Sequence, residues 1–277
     1  MTKDWTPQPR VQEDVISQWP AQALAATLGA PAPQTGDILP PGWHWSYFLE
    51  AVAPDQIGID GHPRRGDFLP PIEHLPRRMY AGGKLRWFAP LRIGATATRT
   101  SEVTRVEEKT GRTGPLVFVT VRHTIASGED TCLEETQNLV YRDAPAPGAA
   151  TPKAVAVPTE PQWSRLVRPD PVMLFRYSAV TFNGHRIHYD APYVREVEGY
   201  PDLIVHGPLM ATLLLETLRH ETGMACPETF TFRALRPMFA NTPIRAEGRA
   251  TETGAELWIR GPDGGLAMHG ETMPPTA

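Results

Sequence analysis

Hydrophobic and polar positions alternate over much of the second quarter of the 277-residue chain. In residues 116–125 (LVFVTVRHTI) and 133–141 (LEETQNLVY), β-branched and aromatic side chains recur with polar ones between them, and SGEDT separates the two runs as a turn. That pattern predicts a hairpin. Residues 96–106 (TATRTSEVTRV) are polar and Thr-rich, which predicts a strand with one wet face. Three more short strands are predicted at 245–251, 255–260 and 266–273, divided by the turn formers TG and GPDGG. The period changes to 3.6 over residues 208–222, where Met210, Leu213, Leu214 and Leu218 share one face. Pro208 suits the first turn of that helix and Gly223 a left-handed C-terminal cap. A weaker helical pattern, interrupted by Pro76, covers residues 73–81.

These placements reveal a faint repeat. Phe88-Ala89-Pro90-Leu91 follows the first helical pattern and Leu235-Arg236-Pro237-Met238 the second, and each opens a run of strands. A helix followed by antiparallel sheet, twice, is an α+β pattern in which each sheet wraps a central helix. Between the halves, residues 143–160 (DAPAPGAATPKAVAVPTE) are rich in proline and alanine and carry no periodic apolar face, so they read as a linker. The expected organisation is therefore 1–142, a linker at 143–160, and 161–277.

Composition narrows the function classes. Apolar residues make up 41% and charged residues 21%, an ordinary globular balance. Twenty-seven basic against thirty-one acidic side chains give a net charge of −4, which argues against nucleic acid as a partner. The two cysteines, Cys132 and Cys226, are far apart and lack C-x-x-C spacing, so no disulfide framework or zinc site is expected and a reducing cytoplasm fits. The N-terminal stretch lacks the apolar run of a secretory signal, and no run of about 18 apolar residues occurs, so no membrane association is expected. Phosphate-binding glycine motifs and H-E-x-x-H are also missing, so neither a nucleotide cofactor nor a metal is expected.

Candidate chemistry concentrates in residues 182–190 (FNGHRIHYD), which hold two histidines, an arginine, an asparagine and an aspartate. Histidine is the usual proton carrier near neutral pH, and His185 and His188 both qualify by type. A second feature is His206-Gly207-Pro208 at the start of the long helix, where free backbone N–H groups and the helix dipole suit an oxyanion.

With these residues in view, the segment 177–214 resembles the MaoC-like, (R)-specific enoyl-CoA hydratase family of hot-dog proteins. In that family a D-x-N-P-x-H loop precedes H-G at the start of the central helix by about twenty residues. The family's catalytic histidine falls on His188, its aspartate on Asn183, and its helix-start glycine on Gly207. Trp43-His44-Trp45, Asp60-Gly61-His62-Pro63, Phe68-Leu69-Pro70-Pro71, Arg77-Arg78-Met79 and Ala81-Gly82-Gly83 are similar to the subgroup that contains mesaconyl-C4-CoA hydratase, itaconyl-CoA hydratases and mitochondrial hydroxyacyl-thioester dehydratase.

The resemblance implies a double hot-dog fold, two halves with their sheets side by side, and reversible hydration of an enoyl-CoA such as mesaconyl-C4-CoA or itaconyl-CoA to citramalyl-CoA. It implies no cofactor beyond the coenzyme A of the substrate, and a homodimer. Dehydration of 3-hydroxyacyl thioesters on CoA or acyl carrier protein, or acyl-thioester binding without turnover, are the alternatives. In the implied chemistry His188 deprotonates a water held by Asn183, while the Gly207 N–H polarises the thioester carbonyl. Because an amide cannot accept that proton, an acid is sought at Asp190, Asp60, Asp67 or Glu73. A second substrate carboxylate would be met by Arg186, Arg78, Arg77 or Arg64, with His185 assisting. His206 and Tyr189 complete the expected substrate-binding set, whereas His44, His62, His74, His123, His220 and His269 read as ordinary.

Overall fold

Side-chain alternation decides most of the architecture. The computed structural model describes residues 5–111, 114–143 and 154–275. In β4 (Gly114–Ser127), Val117, Val119 and Val121 are buried in turn while their neighbours are not, and β5 (Asp130–Arg142) returns beside it as the predicted hairpin. β3 (Thr96–Gly111) pairs with the other side of β4, and β1 (Arg10–Val15) closes that edge. β2 (Arg77–Trp87) lies on the far side of β5. The second half repeats the scheme with β6 (Trp163–Val167), β7 (Thr229–Ala234), β8 (Ile244–Thr251), β9 (Gly254–Arg260) and β10 (Leu266–Met273).

Among the described residues these ten strands form one antiparallel sheet, in the order β1-β3-β4-β5-β2-β7-β10-β9-β8-β6. The halves meet where β2 pairs with β7, so the two side-by-side sheets expected of a double hot-dog are continuous. The order is symmetric about that junction, and the repeated tetrapeptides occupy equivalent places. The N–H groups of Phe88 and Ala89 both donate to the Cys132 carbonyl after β2, and those of Leu235 and Arg236 both donate to the Ala267 carbonyl after β7.

The predicted helix is α4 (Gly207–Thr222), capped by Gly223 at φ 71°. All ten residues from Leu209 to Leu218 are buried, because β6, β8, β9 and β2 surround it. Burying each of Leu209, Leu213, Leu214 and Leu218 contributes about 1.5–3 kcal/mol. Residues 73–81 are not a helix. Pro76 ends an irregular segment, and residues 77–87 are β2, whose long pairing with β5 outweighs the weak helical pattern. The helix supplied by the first half is α1 (Gln18–Leu28), which packs on α2 (Pro171–Val180) and joins the core shared by both halves.

Where the second half carries α4 before β7, the first half has only an irregular segment between α1 and β2, with one-turn helices at Trp43–Ser46 and Pro54–Gln56. This segment crosses to the second half and helps build the site. Most of the expected linker, residues 144–153, lies outside the described residues. Its last part is anchored after all: the Leu266 N–H donates to the Val155 carbonyl at 2.7 Å, and Ala156 pairs with Gly265. Among the described residues no helix is long and apolar enough to cross a membrane.

Candidate active site

The segment after α2 is shaped by its own polar groups. Asn183 donates its backbone N–H to the Ser178 carbonyl at 2.8 Å and accepts the His185 N–H on its side-chain oxygen at 3.0 Å, an Asx-type turn. The Tyr189 hydroxyl closes the loop on the Gly184 carbonyl at 2.9 Å. Asp190 then caps α3 (Ala191–Glu196) by accepting the Tyr193 N–H.

The first half docks on this loop. The Arg186 N–H donates to the Asp60 carbonyl at 2.9 Å, and its guanidinium to the Ile59 carbonyl at 3.1 Å. At Gly61, φ is 87° and a Cβ would stand 2.0 Å from the Gly184 carbonyl oxygen, so only glycine allows so close an approach.

His188 is buried, and its Nδ1 lies 2.8 Å from the Ile204 carbonyl. A carbonyl can only accept, so Nδ1 carries the hydrogen and Nε2 holds a lone pair. Burial pushes its pKa down to about 3, against the pull of that hydrogen bond, so the neutral, proton-accepting form prevails. Behind it stands His206, fully buried, stacked at 3.6 Å between ring centroids and 19° between planes, with Nε2 held by the Ser178 hydroxyl at 2.9 Å. Gly207 occupies the first position of α4, where the N–H has no intrahelical acceptor, and Pro208 after it has no N–H to compete. Tyr80 of β2 covers this point: a Cβ on Gly207 would meet its ring at 3.3 Å.

His188, Gly207, Asn183, His185 and Tyr189 line one open cleft of about 2790 Å³ between the halves, with Tyr80, Arg78 and His62 on the facing wall. A base with a free lone pair and an unpaired backbone donor on one cleft can move a proton while stabilising a nascent oxyanion.

Several expected roles move. Arg186 is committed to Asp190 (Nε 2.9 Å, Nη2 2.7 Å), stacks on Tyr193 and does not line the cleft. Asp190 therefore does not orient His188; the Ile204 carbonyl does. His206 backs His188 without reaching the cleft wall. The Asn183 oxygen serves the loop, leaving its amide nitrogen for a water.

His62, read as ordinary, belongs to the site. Its Nδ1 lies 3.3 Å from an Asp60 oxygen, its N–H meets the other at 3.1 Å, and its ring stands 4.1 Å from that of His185. Among the first-half acids considered, Asp60 is thus the one that docks on the 183–190 loop, while Asp67 pairs with Arg10 at the surface. Burial works against ionising Asp60, yet hydrogen bonds and charge from His62, with Arg78 adding its field, hold its carboxyl at about 2. His44 is likewise not ordinary: it is buried against Glu135 at 3.1 Å, beside Trp45 and Tyr80. Nothing in the local sequence announces either contact, since each partner lies far along the chain or acquires meaning only from the docked loop.

Asp60, His62 and His185 also bring one ligand-type atom each within 4.8 Å of one another, the spacing a cation would need. The neighbouring Arg78 opposes a cation there: burial lowers the pKa of both His62 and His185, and the charge of Arg78 lowers both further.

The sequence matches the hydroxyacyl-thioester dehydratase type 2 (Htd2) family over residues 42–240. It is 46% identical to mesaconyl-C(4)-CoA hydratase of Chloroflexus aurantiacus, covering 95% of this chain and 94% of that protein. It is 32% identical to the mitochondrial hydroxyacyl-thioester dehydratase type 2 of Schizosaccharomyces pombe, with 90% and 92% covered. A Mycobacterium tuberculosis protein solved as a double hot-dog superposes with a TM-score of 0.61 at 13% identity, over 96% of each chain.

Proposed function

The chain belongs to the hydroxyacyl-thioester dehydratase type 2 family, and on that premise we propose that it is a hydro-lyase that reversibly hydrates an α,β-unsaturated acyl-CoA, mesaconyl-C4-CoA first among candidates, giving citramalyl-CoA; itaconyl-CoA is the second candidate, and its methylene double bond would have to move into conjugation with the thioester before this addition. The observation that carries this reading is the Nε2 lone pair of His188 and the unpaired Gly207 N–H on the same cleft.

In the forward direction, water held by the Asn183 amide gives its proton to His188 Nε2 as its oxygen bonds to the β-carbon. The π pair of the double bond moves onto the thioester oxygen, where the Gly207 N–H and the dipole of α4 meet the charge; one such donor is worth about 3–4 kcal/mol in comparable sites. The enolate then takes the proton back from His188 at the α-carbon, restoring the neutral imidazole. The reaction needs no cofactor beyond the coenzyme A already on the substrate.

The alternative within the same chemistry is dehydration of a 3-hydroxyacyl thioester, favoured by the Schizosaccharomyces pombe relative. We place the protein in the cytoplasm as a homodimer. Two free cysteines, Cys132 buried and Cys226 half-buried, support the reducing setting. Loss of enoyl absorbance with mesaconyl-C4-CoA, itaconyl-CoA and crotonyl-CoA tests the reading. His188→Ala should lower kcat by about 10²–10⁴-fold with an unchanged melting temperature. A variant that keeps wild-type turnover would remove His188 from the mechanism.

A further inference from the structure

Four arginines are the expected readers of a charge on the acyl group, and their partners in the structure separate them. Arg186 is held by Asp190 and Ile59. Arg77 is paired with Glu198 at 3.1 Å and lies over the Tyr200 ring. Arg64 is exposed. Arg78, half-buried on β2 and lining the cleft, has no carboxylate within ion-pair distance among the described residues.

The acid nearest in the fold, Asp60, is already engaged by the ring and backbone of His62. His185 completes this wall: its ring stands between those of His62 and His188, at 4.1 and 5.5 Å, and its ring nitrogens have no protein partner among the described residues. The wall therefore offers a guanidinium with no carboxylate in contact, though it shares the field of ionised Asp60, and an imidazole whose ring stands 5.5 Å from that of His188. A half-buried cation without a counter-ion is costly unless a ligand supplies one.

We propose that Arg78, with His185 beside it, is the specificity-determining residue that receives the second carboxylate of the acyl group. This rests on the reading of the cleft as a hydratase site and selects among its substrates. A planar guanidinium binds a carboxylate through two parallel N–H···O contacts, and Arg78 lines the same cleft as His185 and His188. An acyl group ending in a methyl would leave the Arg78 charge unmatched. The same wall disfavours a metal ion, because Arg78 would repel it.

The test compares kcat/KM for mesaconyl-C4-CoA with that for crotonyl-CoA, which lacks the second carboxylate, in wild type, Arg78→Leu and Arg78→Lys. The ratio should fall about 100-fold in Arg78→Leu, the loss expected of a charged two-point contact, and about tenfold in Arg78→Lys, which keeps the charge but not the fork. Arg78→Lys gives the answer should Arg78→Leu not fold. An unchanged ratio in both variants overturns the proposal, as does a wild-type protein that turns over crotonyl-CoA but not mesaconyl-C4-CoA. Stoichiometric binding of Zn²⁺ that is lost in His185→Gln also overturns it, by making the wall a cation site. A wild-type protein inactive on every enoyl thioester sinks the hydratase reading itself, a result distinct from any of these.

Discussion

Replacing Gly61 by alanine probes whether the first half completes the site. The residue has φ 87°, a left-handed backbone that costs an alanine about 1–2 kcal/mol. Its Cβ would lie 2.0 Å from the Gly184 carbonyl oxygen, which is backbone and is held in turn by the Tyr189 hydroxyl, so the two loops must part. Parting them breaks the bonds from Arg186 to the Asp60 and Ile59 carbonyls, each worth about 0.5–1.5 kcal/mol. The local loss is about 2–5 kcal/mol, enough to lower the melting temperature by several degrees without unfolding a domain of this size. The larger effect falls on turnover, because a displacement of about 1 Å in a positioned group costs about 10²-fold. Hydration of mesaconyl-C4-CoA followed by enoyl absorbance, alongside a thermal melt, measures both. Gly128→Ala is the control: φ is 63°, nothing lies within 4 Å of its Cβ, and it sits in the β4–β5 turn, so only the backbone penalty applies and turnover should stay within about twofold. Wild-type kcat/KM in Gly61→Ala would refute the claim that the docked loop positions the catalytic segment.

Other outcomes follow from buried charge. Glu135→Ala removes the acceptor of His44 and Trp45 in the first-half core, and should lower stability by about 3–5 kcal/mol, read as a melting temperature about 10 °C lower. His62 and His188 have pKa values depressed to about 4 and about 3, so between those values and about 6.5 the unfolded chain binds more protons than the folded one. Stability should therefore fall as pH drops below about 6.5, by up to about 1.4 kcal/mol per pH unit for each group, and a melting temperature that is flat from pH 6.5 to 5 would contradict this. By the same depression, kcat/KM should show no acidic limb between about pH 7 and 5 from His188; a limb centred near 6.5 would mean the base is a solvated histidine.

Elements with a strong period were legible in the sequence. The 116–141 hairpin, the strands at 245–273 and α4 all declare themselves through alternation or a 3.6-residue stripe bounded by Pro208 and Gly223. α1 is built from QWPAQALAATL, whose small alanines give little contrast between faces, so its burial against α2 is a tertiary fact. α2 left a signal that went unread: Asp170 before Pro171, an N-cap whose side chain accepts the Met173 N–H at 2.7 Å. β2 was obscured because Pro76 and a charged start hide a strand that is held on both sides by β5 and β7.

His188, Asn183 and Gly207 were reached through the resemblance, whose motif of one loop and one helix start carries all three. The facing wall was not. His62 meets His185 across more than a hundred residues of chain, brought there by the docking of Gly61 against Gly184, while Arg78 reaches the cleft through the pairing of β2 with β5. Arg186 misled for the opposite reason. Its partner Asp190 is four residues away, an ion pair already present in the motif itself.

The central claim is that one bound thioester touches both His188 and Gly207. A crystal structure with the saturated analogue of mesaconyl-C4-CoA, which keeps the thioester carbonyl but has a single bond in place of the double bond and cannot add water, tests it directly. The account predicts the acyl carbonyl oxygen at about 2.7–3.1 Å from the Gly207 nitrogen, with the β-carbon on the side of His188 Nε2. An acyl group bound with its carbonyl away from Gly207, or with His188 separated from the β-carbon by protein, would contradict it.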